Sequence, residues 1–421
     1  MLSSSIRRPR ILVVTQYYRP ESFIVNDLVE ILSTDWDISV LCAYPSYPTL
    51  SNYANVSRKQ ISRDDAQRPE MVYRLAGVSG RRGSLISTIT SWLTFMISGT
   101  TWIRRNRWRN WDAVLVYAPA PLTVGLIPIL ANVRCPKYIW IVDTWPEAVE
   151  VRLQTIPIPN FLRRSIIGLS RQIVRPIFHI YDAIAVQNQL MRKYYTAQFQ
   201  VCDGRTAVIE QWESAERSRY WDPHSPEFCT LTARLASFKK QFQTVVVNCG
   251  NFGFAQNLEL LLETAAQTPD CGFVFIGSGT EWVKIQEFEK RAQNVLTFDS
   301  VPQAVLDGWA EYFSFGMCAI RPGSSPNSTI PQRCHLYGSW GLPLLFVCDG
   351  PSIVPPNLDL LVLQISPNID LVRAGLNRLK DLSTDQRNVE GRKIKQYFSS
   401  FADKSVIRSK FTSLIAIKGR N

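Results

Sequence analysis

The sequence predicts an α/β protein of two doubly wound domains, each a parallel sheet covered by helices, and three observations carry the prediction. Its 421 residues exceed what a single hydrophobic core usually organises. Short apolar, β-rich runs alternate with helix-length segments, which is the pattern of parallel sheets. That alternation lapses in a polar stretch around Glu213 to Lys240 and then begins again. The expected division is a first domain over residues 1–214, a linker over 215–242, a second domain over 243–395 and a C-terminal helix over 396–421.

Taken in order, Ile11 to Thr15 reads as a strand, Gln16 to Ser22 as a loop, and Ile24, Val25, Leu28, Val29, Ile31 and Leu32 as the apolar side of a helix. Ile38 to Leu41, Ala113 to Tyr117, Tyr138 to Val142 and Ala183 to Val186 are the next strands. After the polar stretch come Thr244 to Asn248, Phe273 to Ile276, Val295 to Phe298, Met317 to Ile320 and Leu344 to Val347. Asp385 to Ile417 then carries Ile394, Tyr397, Phe398, Phe401, Val406, Ile407, Phe411 and Leu414 at helical spacing. Because it follows a completed second sheet, this segment is expected to pack across both domains.

Composition narrows the class. With 46% apolar residues and a mean hydropathy of −0.06, the chain has material for two cores, so disorder is excluded. The net charge of +12 is concentrated in residues 1–210, which hold 25 Lys and Arg against 15 Asp and Glu. An anionic partner is therefore expected at the first half. The nine cysteines are scattered, without a Cys-x-x-Cys pair, and read as buried thiols of a reducing cytoplasm. Three dispersed histidines do not suggest a metal site. Met1 to Arg10 lacks the apolar core of a secretory signal, so the chain is expected to stay inside the cell.

The most informative stretch runs from Thr329 to Pro343. An extended, proline-containing loop enters a short helix, which stops at Gly341-Leu342-Pro343 before the apolar strand Leu344 to Val347. Such a junction aims backbone N–H groups and the Arg333 cation at one point, as a diphosphate requires. Arg333 is the only cation between Arg321 and Arg373, and a positive residue at a helix start opposes the dipole unless an anion is bound there. The alternative is a surface ion pair. Asn248-Cys249-Gly250-Asn251-Phe252-Gly253 and Gly277-Ser278-Gly279 end two strands, where glycine lets backbone approach a phosphate or nucleoside. Ordinary left-handed turns are the alternative for either pair alone.

In the first half, Asp143 and Glu147 lie just past a buried strand. Asp143 reads as a proton acceptor or a hydrogen-bond partner of a sugar hydroxyl, and equally as a helix cap. Gly83 to Ile103 is uncharged, rich in Ser and Thr, and places Leu85, Ile89, Trp92, Leu93, Met96 and Ile97 on one helical stripe. It is bracketed by Arg81-Arg82 and by Arg104, Arg105, Arg107 and Arg109. It is too polar to span a membrane, which leaves a helix lying on an anionic bilayer or a core helix with solvated ends. Arg81, Arg82, Trp92, Trp102, Arg104 and Arg105 are the candidate membrane contacts.

Together these motifs resemble a known family. Thr15 to Phe23 with Asn26-Asp27-Leu28, then Tyr44 to Pro48, Trp140 to Glu147, Gly250-Asn251-x-Gly253, Gly277-x-Gly279 and Ile330-Pro331-x-Arg333 through Tyr337 to Gly341-x-Pro343 are similar to bacterial glycosyltransferases of family four. The nearest likeness is to members that build O-antigen, capsule or colanic-acid-type exopolysaccharide. The resemblance implies a GT-B fold of two Rossmann-like domains with a C-terminal helix crossing back to the first. It implies retaining, metal-independent transfer of a sugar from a nucleoside diphosphate, UDP- or GDP-linked, with no cofactor. On that pattern Gly250, Asn251, Gly253, Gly277, Gly279, Pro331, Arg333 and Tyr337 bind the donor, and Asp143 and Arg333 are the catalytic residues. Glu21, Asn26, Asp27 and Tyr44 then line the acceptor side, for a glycan or polyprenyl-diphosphate-linked acceptor at the inner face of the plasma membrane. Departures are Arg333 for the usual Lys, Gln332 for a small Ser, Leu336 for a ribose-binding Glu, and Phe254 and Ala255 where a second phosphate cation is common. Rival readings are a nucleotide-sugar epimerase or phosphorylase on the same fold, and a non-catalytic homologue that binds a partner or glycan intermediate. Nucleic acid is not expected, because the Arg cluster flanks an apolar helix and no stacking motif accompanies it.

Overall fold

The computed structural model describes residues 7–46, 56–75, 85–118, 123–144, 146, 153, 158–213, 225–322, 330–350 and 362–417. The chain forms two compact units, one of residues 1–146, 164–216 and 403–421, the other of 147–163 and 217–402. Both are parallel sheets with helical crossovers, the two Rossmann-like domains that the alternation predicts.

The first sheet has seven strands: β1 Arg10–Val14, β2 Asp37–Ala43, β3 Met71–Leu75, β4 Ala113–Ala118, β5 Lys137–Ile141, β6 Ala183–Val186 and β7 Thr206–Val208. Their order is β3-β2-β1-β4-β5-β6-β7, every neighbour parallel. Central strands such as Ile11 to Val14 and Val114 to Val116 are buried throughout, which is why they read as unbroken apolar runs. The helices are α1 Val25–Leu32, α2 Arg58–Ala66, α3 Leu85–Arg105, α4 Thr123–Leu130, α5 Asn160–Ile180 and α6 Gln189–Phe199. Side-chain caps start α2 and α6: Ser57 accepts from the Gln60 amide, and Asn188 from the Met191 amide.

The second sheet runs β10-β9-β8-β11-β12-β13, again all parallel. Its strands are β8 Thr244–Asn251, β9 Cys271–Ser278, β10 Val295–Asp299, β11 Phe315–Ala319, β12 Leu344–Val347 and β13 Val362–Ile365. Its helices are α7 Pro226–Gln241, α8 Leu258–Gln267, α9 Trp282–Glu289, α10 Gln303–Trp309, α11 Gln332–Trp340, α12 Ile369–Lys380 and α13 Thr384–Phe401. Helix α7 lies in the stretch read as a linker, and it places Phe228, Leu235 and Phe238 in this unit's core. Helix α11 packs on α13, and the fit is tight: a Cβ on Gly338 would stand 2.1 Å from Cδ2 of Phe398.

The final helix, α14 Lys404–Ala416, belongs to the first unit. Asp403 caps it by accepting from the Ser405 and Val406 amides, and it buries Ile407, Phe411 and Leu414. The Tyr138 hydroxyl on β5 donates to the Ile415 carbonyl at 2.5 Å, and Phe411 meets the Trp140 ring edge-on at 5.1 Å. Trp140 in turn stacks on Trp212, whose indole N–H donates to Asp27 at 3.1 Å. One aromatic column thus joins β5, α1 and α14.

Candidate functional site

Strands β8 and β9 leave the second sheet side by side, with Gly250 opposite Gly277 and Asn251 opposite Ser278. Two of the turns there require glycine. Gly277 sits at φ +154°, where a Cβ would fall 1.9 Å from the Gly250 carbonyl oxygen, and Gly279 at φ +142°, where it would fall 2.2 Å from that of Phe252. No side chain fits either gap, so the two strand ends close against each other as bare backbone. The Phe252 amide donates to the Ser278 carbonyl at 2.7 Å, and the Glu281 amide to the Phe252 carbonyl at 3.0 Å, which ties one loop to the other. Gly250, Asn251 and Gly279 remain exposed, and Gly253 is held by its amide donating to Gln256 Oε1 at 3.0 Å.

Helix α11 delivers the cation. It starts at Gln332 after Pro331, which has extended backbone and supplies no side-chain cap, so the first-turn N–H groups receive nothing from that side chain. Arg333, in that first turn, crosses to the β8 loop: Nη2 donates to the Asn251 carbonyl at 3.3 Å, and the guanidinium lies 5.7 Å from the Phe252 ring centre. Its Nη1 is buried and finds no hydrogen-bond partner among the described residues. A buried guanidinium N–H left open is costly, and an anion would complete it.

Two neighbours on α11 have other tasks. Tyr337 is fully buried, and its hydroxyl accepts from the Cys249 amide at 2.6 Å, pinning the helix to β8. Burial holds that phenol well above its ordinary range. The structure therefore moves Tyr337 from the donor-contact set to a positioning role, because no surface of it reaches the exposed loops. His335 is buried against the rings of Phe398 and Phe401, and burial pushes it down to about 4, so it is neutral at physiological pH.

A second cation, which the sequence reading did not use, reaches the same loop. Arg321 lies just past β11; its Nε donates to the Phe254 carbonyl at 2.9 Å and its guanidinium covers the Phe254 ring at 4.4 Å. Glu259 pairs with it at 2.5 Å. Position 254 thus lacks a cation of its own but is covered by one from a neighbouring strand. Asn248, which opens the Asn248 to Gly253 motif but has no role of its own in the sequence reading, is fully buried on β8, and neither polar atom of its amide has a partner among the described residues. The signal was an amide inside the apolar run Thr244 to Cys249.

In the first unit, Asp143 lies two residues beyond β5, half-buried, and burial lifts its carboxyl to about 7. Tyr117 on β4 is held above its ordinary range by burial and by that carboxylate. Asp143 therefore titrates where a general acid or base is useful. Glu21 and Asn26 are almost wholly buried and do local work. Glu21 accepts from the Tyr18 amide at 3.1 Å and the Ser46 amide at 2.7 Å, and Asn26 donates to the Glu21 carbonyl at 2.7 Å. With Asp27 committed to Trp212, these three shape the loops after β1 and β2, and Tyr44 beside them carries the Arg58 guanidinium at 4.6 Å from its ring. Among the described residues, no three His, Cys, Asp or Glu come together as metal ligands.

The candidate membrane contacts divide. Trp102 packs on Tyr73 at 4.7 Å and Trp111 at 5.9 Å, so it faces its own domain, a correction to the expected contact. Trp92 is half-buried, with its indole nitrogen fully covered. Arg104 donates to the Leu130 carbonyl at 2.6 Å, and Arg105 is exposed. Arg81 and Arg82 fall outside the described residues. Among the described residues, no helix is long and apolar enough to cross a membrane.

No family model matches the chain, and no curated protein matches it in sequence. Solved structures do match in fold. Sucrose-phosphate synthase from Thermosynechococcus elongatus superposes with a TM-score of 0.69 at 12% identity, over 97% of this chain and 98% of that one. The fold is GT-B. Anabaena HepE, solved with UDP and glucose, gives 0.60 at 12% identity over 96% of this chain and 99% of that one. The lipopolysaccharide outer core galactosyltransferase WaaB gives 0.55 at 11% identity over 96% and 99%.

Proposed function

We propose that this chain is a glycosyltransferase that moves a sugar from a nucleoside diphosphate to a glycan acceptor, with retention of configuration. The observation that carries the reading is the Arg333 guanidinium, which the start of α11 brings over Gly250 and the Asn251 carbonyl, beside the bare-backbone turns of β8 and β9. A diphosphate laid on those bare turns would meet the Nη2 and Nε side of the Arg333 guanidinium and first-turn amides of α11, and Arg321 would add long-range positive charge. As the sugar leaves, negative charge builds on the diphosphate, and fixed donors already aimed there stabilise it without reorganising. Asp143, poised near neutrality, is the candidate for managing the acceptor's proton or binding a sugar hydroxyl.

Three similar folds supply the class of ligand: HepE was solved with UDP and glucose, WaaB is a galactosyltransferase, and the Thermosynechococcus protein is a sucrose-phosphate synthase. The motif resemblance favours a lipid-linked acceptor in surface polysaccharide synthesis, with the protein peripheral at the inner face of the plasma membrane. Thermal melting of the wild type and Arg333→Ala with uridine, guanosine and adenosine diphosphates tests the donor site. A shift with one nucleotide that is lost in the variant is expected. A folded wild type that responds to none of them would overturn the reading. Binding without sugar release to water or any acceptor would turn it into the non-catalytic one, which Leu336 in place of a ribose-binding Glu favours.

A further inference from the structure

Right-handed crossovers place α3, α4, α5 and α6 on one face of the first sheet, opposite α1. Two contacts agree: α3 packs on α4, and the Tyr181 hydroxyl after α5 donates to the Gly125 carbonyl of α4 at 2.5 Å. This face is unusual in two ways. The four helices contain eight Arg and Lys and not one Asp or Glu. They also turn apolar residues outward. Of the ten large apolar side chains exposed among the described residues of the first unit, eight are on these helices or on the turn after α3.

Helix α3 buries Thr88, Ser91 and Thr100 beside Phe95 and Ile103, and leaves Ile89, Leu93 and Ile97 exposed on its other side. On α5, Ile166, Leu169, Ile173 and Ile180 follow one stripe, with Leu169 59% and Ile173 60% exposed. Arg164, Arg171 and Arg175 accompany that stripe.

We propose that this face, through the outward stripes of α3 and α5, docks on an anionic lipid bilayer. The proposal rests on the membrane location suggested above and supplies its surface. Charge decides among occupants. Arg192 pairs with Asp203, but a second copy meeting the same face would still set like charges against each other, whereas anionic headgroups would neutralise them while the aliphatic chains enter the acyl boundary.

The test is co-flotation of the purified full chain with phosphatidylcholine vesicles, with and without phosphatidylglycerol. Binding to the anionic vesicles, weakened by salt, is expected. Ile97→Ser/Leu169→Ser/Ile173→Ser should lower partition roughly a hundredfold, since each half-exposed aliphatic chain contributes about a fivefold change when buried. Arg164→Glu/Arg175→Glu should weaken anionic binding alone. Exposed sites should leave the thermal transition and any nucleotide shift unchanged, so failure here and failure of the donor site are separate results. No binding to anionic vesicles, equal binding to neutral ones, or a dimer in light scattering that the triple variant dissolves would each overturn the proposal.

Discussion

Replacing Arg333 by Met should push stability and ligand binding in opposite directions. The side chain brings a buried Nη1 without a partner among the described residues, one long hydrogen bond of 3.3 Å to Asn251, and a guanidinium 5.7 Å from the Phe252 ring. An unsatisfied buried donor costs about 1–3 kcal/mol, whereas the hydrogen bond and ring contact together return about 1 kcal/mol. Methionine keeps much of the apolar stem. The unliganded variant should therefore be more stable by about 1 kcal/mol, a melting shift of roughly 2–4 °C for a unit of this size. Nucleotide binding should weaken about tenfold to a hundredfold, the worth of one charge-assisted hydrogen bond. At a ligand concentration that gives the wild type ~2.7 kcal/mol of stabilisation, the variant would retain ~0.4–1.4 kcal/mol. Scanning calorimetry with and without nucleotide reads both numbers. A variant that melts below the wild type without ligand, or that keeps the full nucleotide shift, would refute the idea of a guanidinium held open for an anion.

Two pH effects of opposite sign should appear in the separate units. His335 ordinarily titrates near 6.5 and is pushed down to about 4, so the unfolded state takes up a proton first and stability is lost as pH falls through that window. At pH 5 the loss is ~2 kcal/mol, and denaturant titration at pH 7 and 5 should show it in the wild type and not in His335→Leu. Asp143 is the reverse: its carboxyl rises from 3.8 to about 7, so stability is lost as pH rises through that range. Asp143→Asn should raise stability at pH 8 by ~2–4 kcal/mol and leave it little changed at pH 4; equal effects at both would remove the special status of that carboxyl.

Both sheets were legible in the sequence, and the strands that escaped notice share a cause. β3, β7 and β13 are all outermost in their sheets. An edge strand needs no unbroken apolar run: Met71 is exposed on β3, β7 has three residues, and β13 carries Gln364. The glycines at the ends of β8 and β9 and Arg333 at the start of α11 stand out in the sequence because strand ends and helix starts punish the wrong residue. Tyr337 was misassigned because sequence order shows that it is on the site's helix, not which way it points. The stripe on α3 was visible as a period, but a period does not say which face is inside, and here Ser91 is inside and Leu93 is out. Glu21, Asn26 and Asp27 read as ligand groups because sequence does not show that Glu21 accepts from loop amides, Asn26 donates to the Glu21 carbonyl and Asp27 accepts from the Trp212 indole.

The placement of α14 bears on the timing of synthesis. Its docking positions on β5 and α1 are translated early, but Lys404–Ala416 follows only after the whole second unit. At 5–20 residues per second that interval is roughly 13–50 s, during which Tyr138 and Trp140 lack the partners that later cover them. A nascent chain in this window would hold Trp140 against Tyr117 and Trp212 but without the Phe411 edge that α14 later supplies.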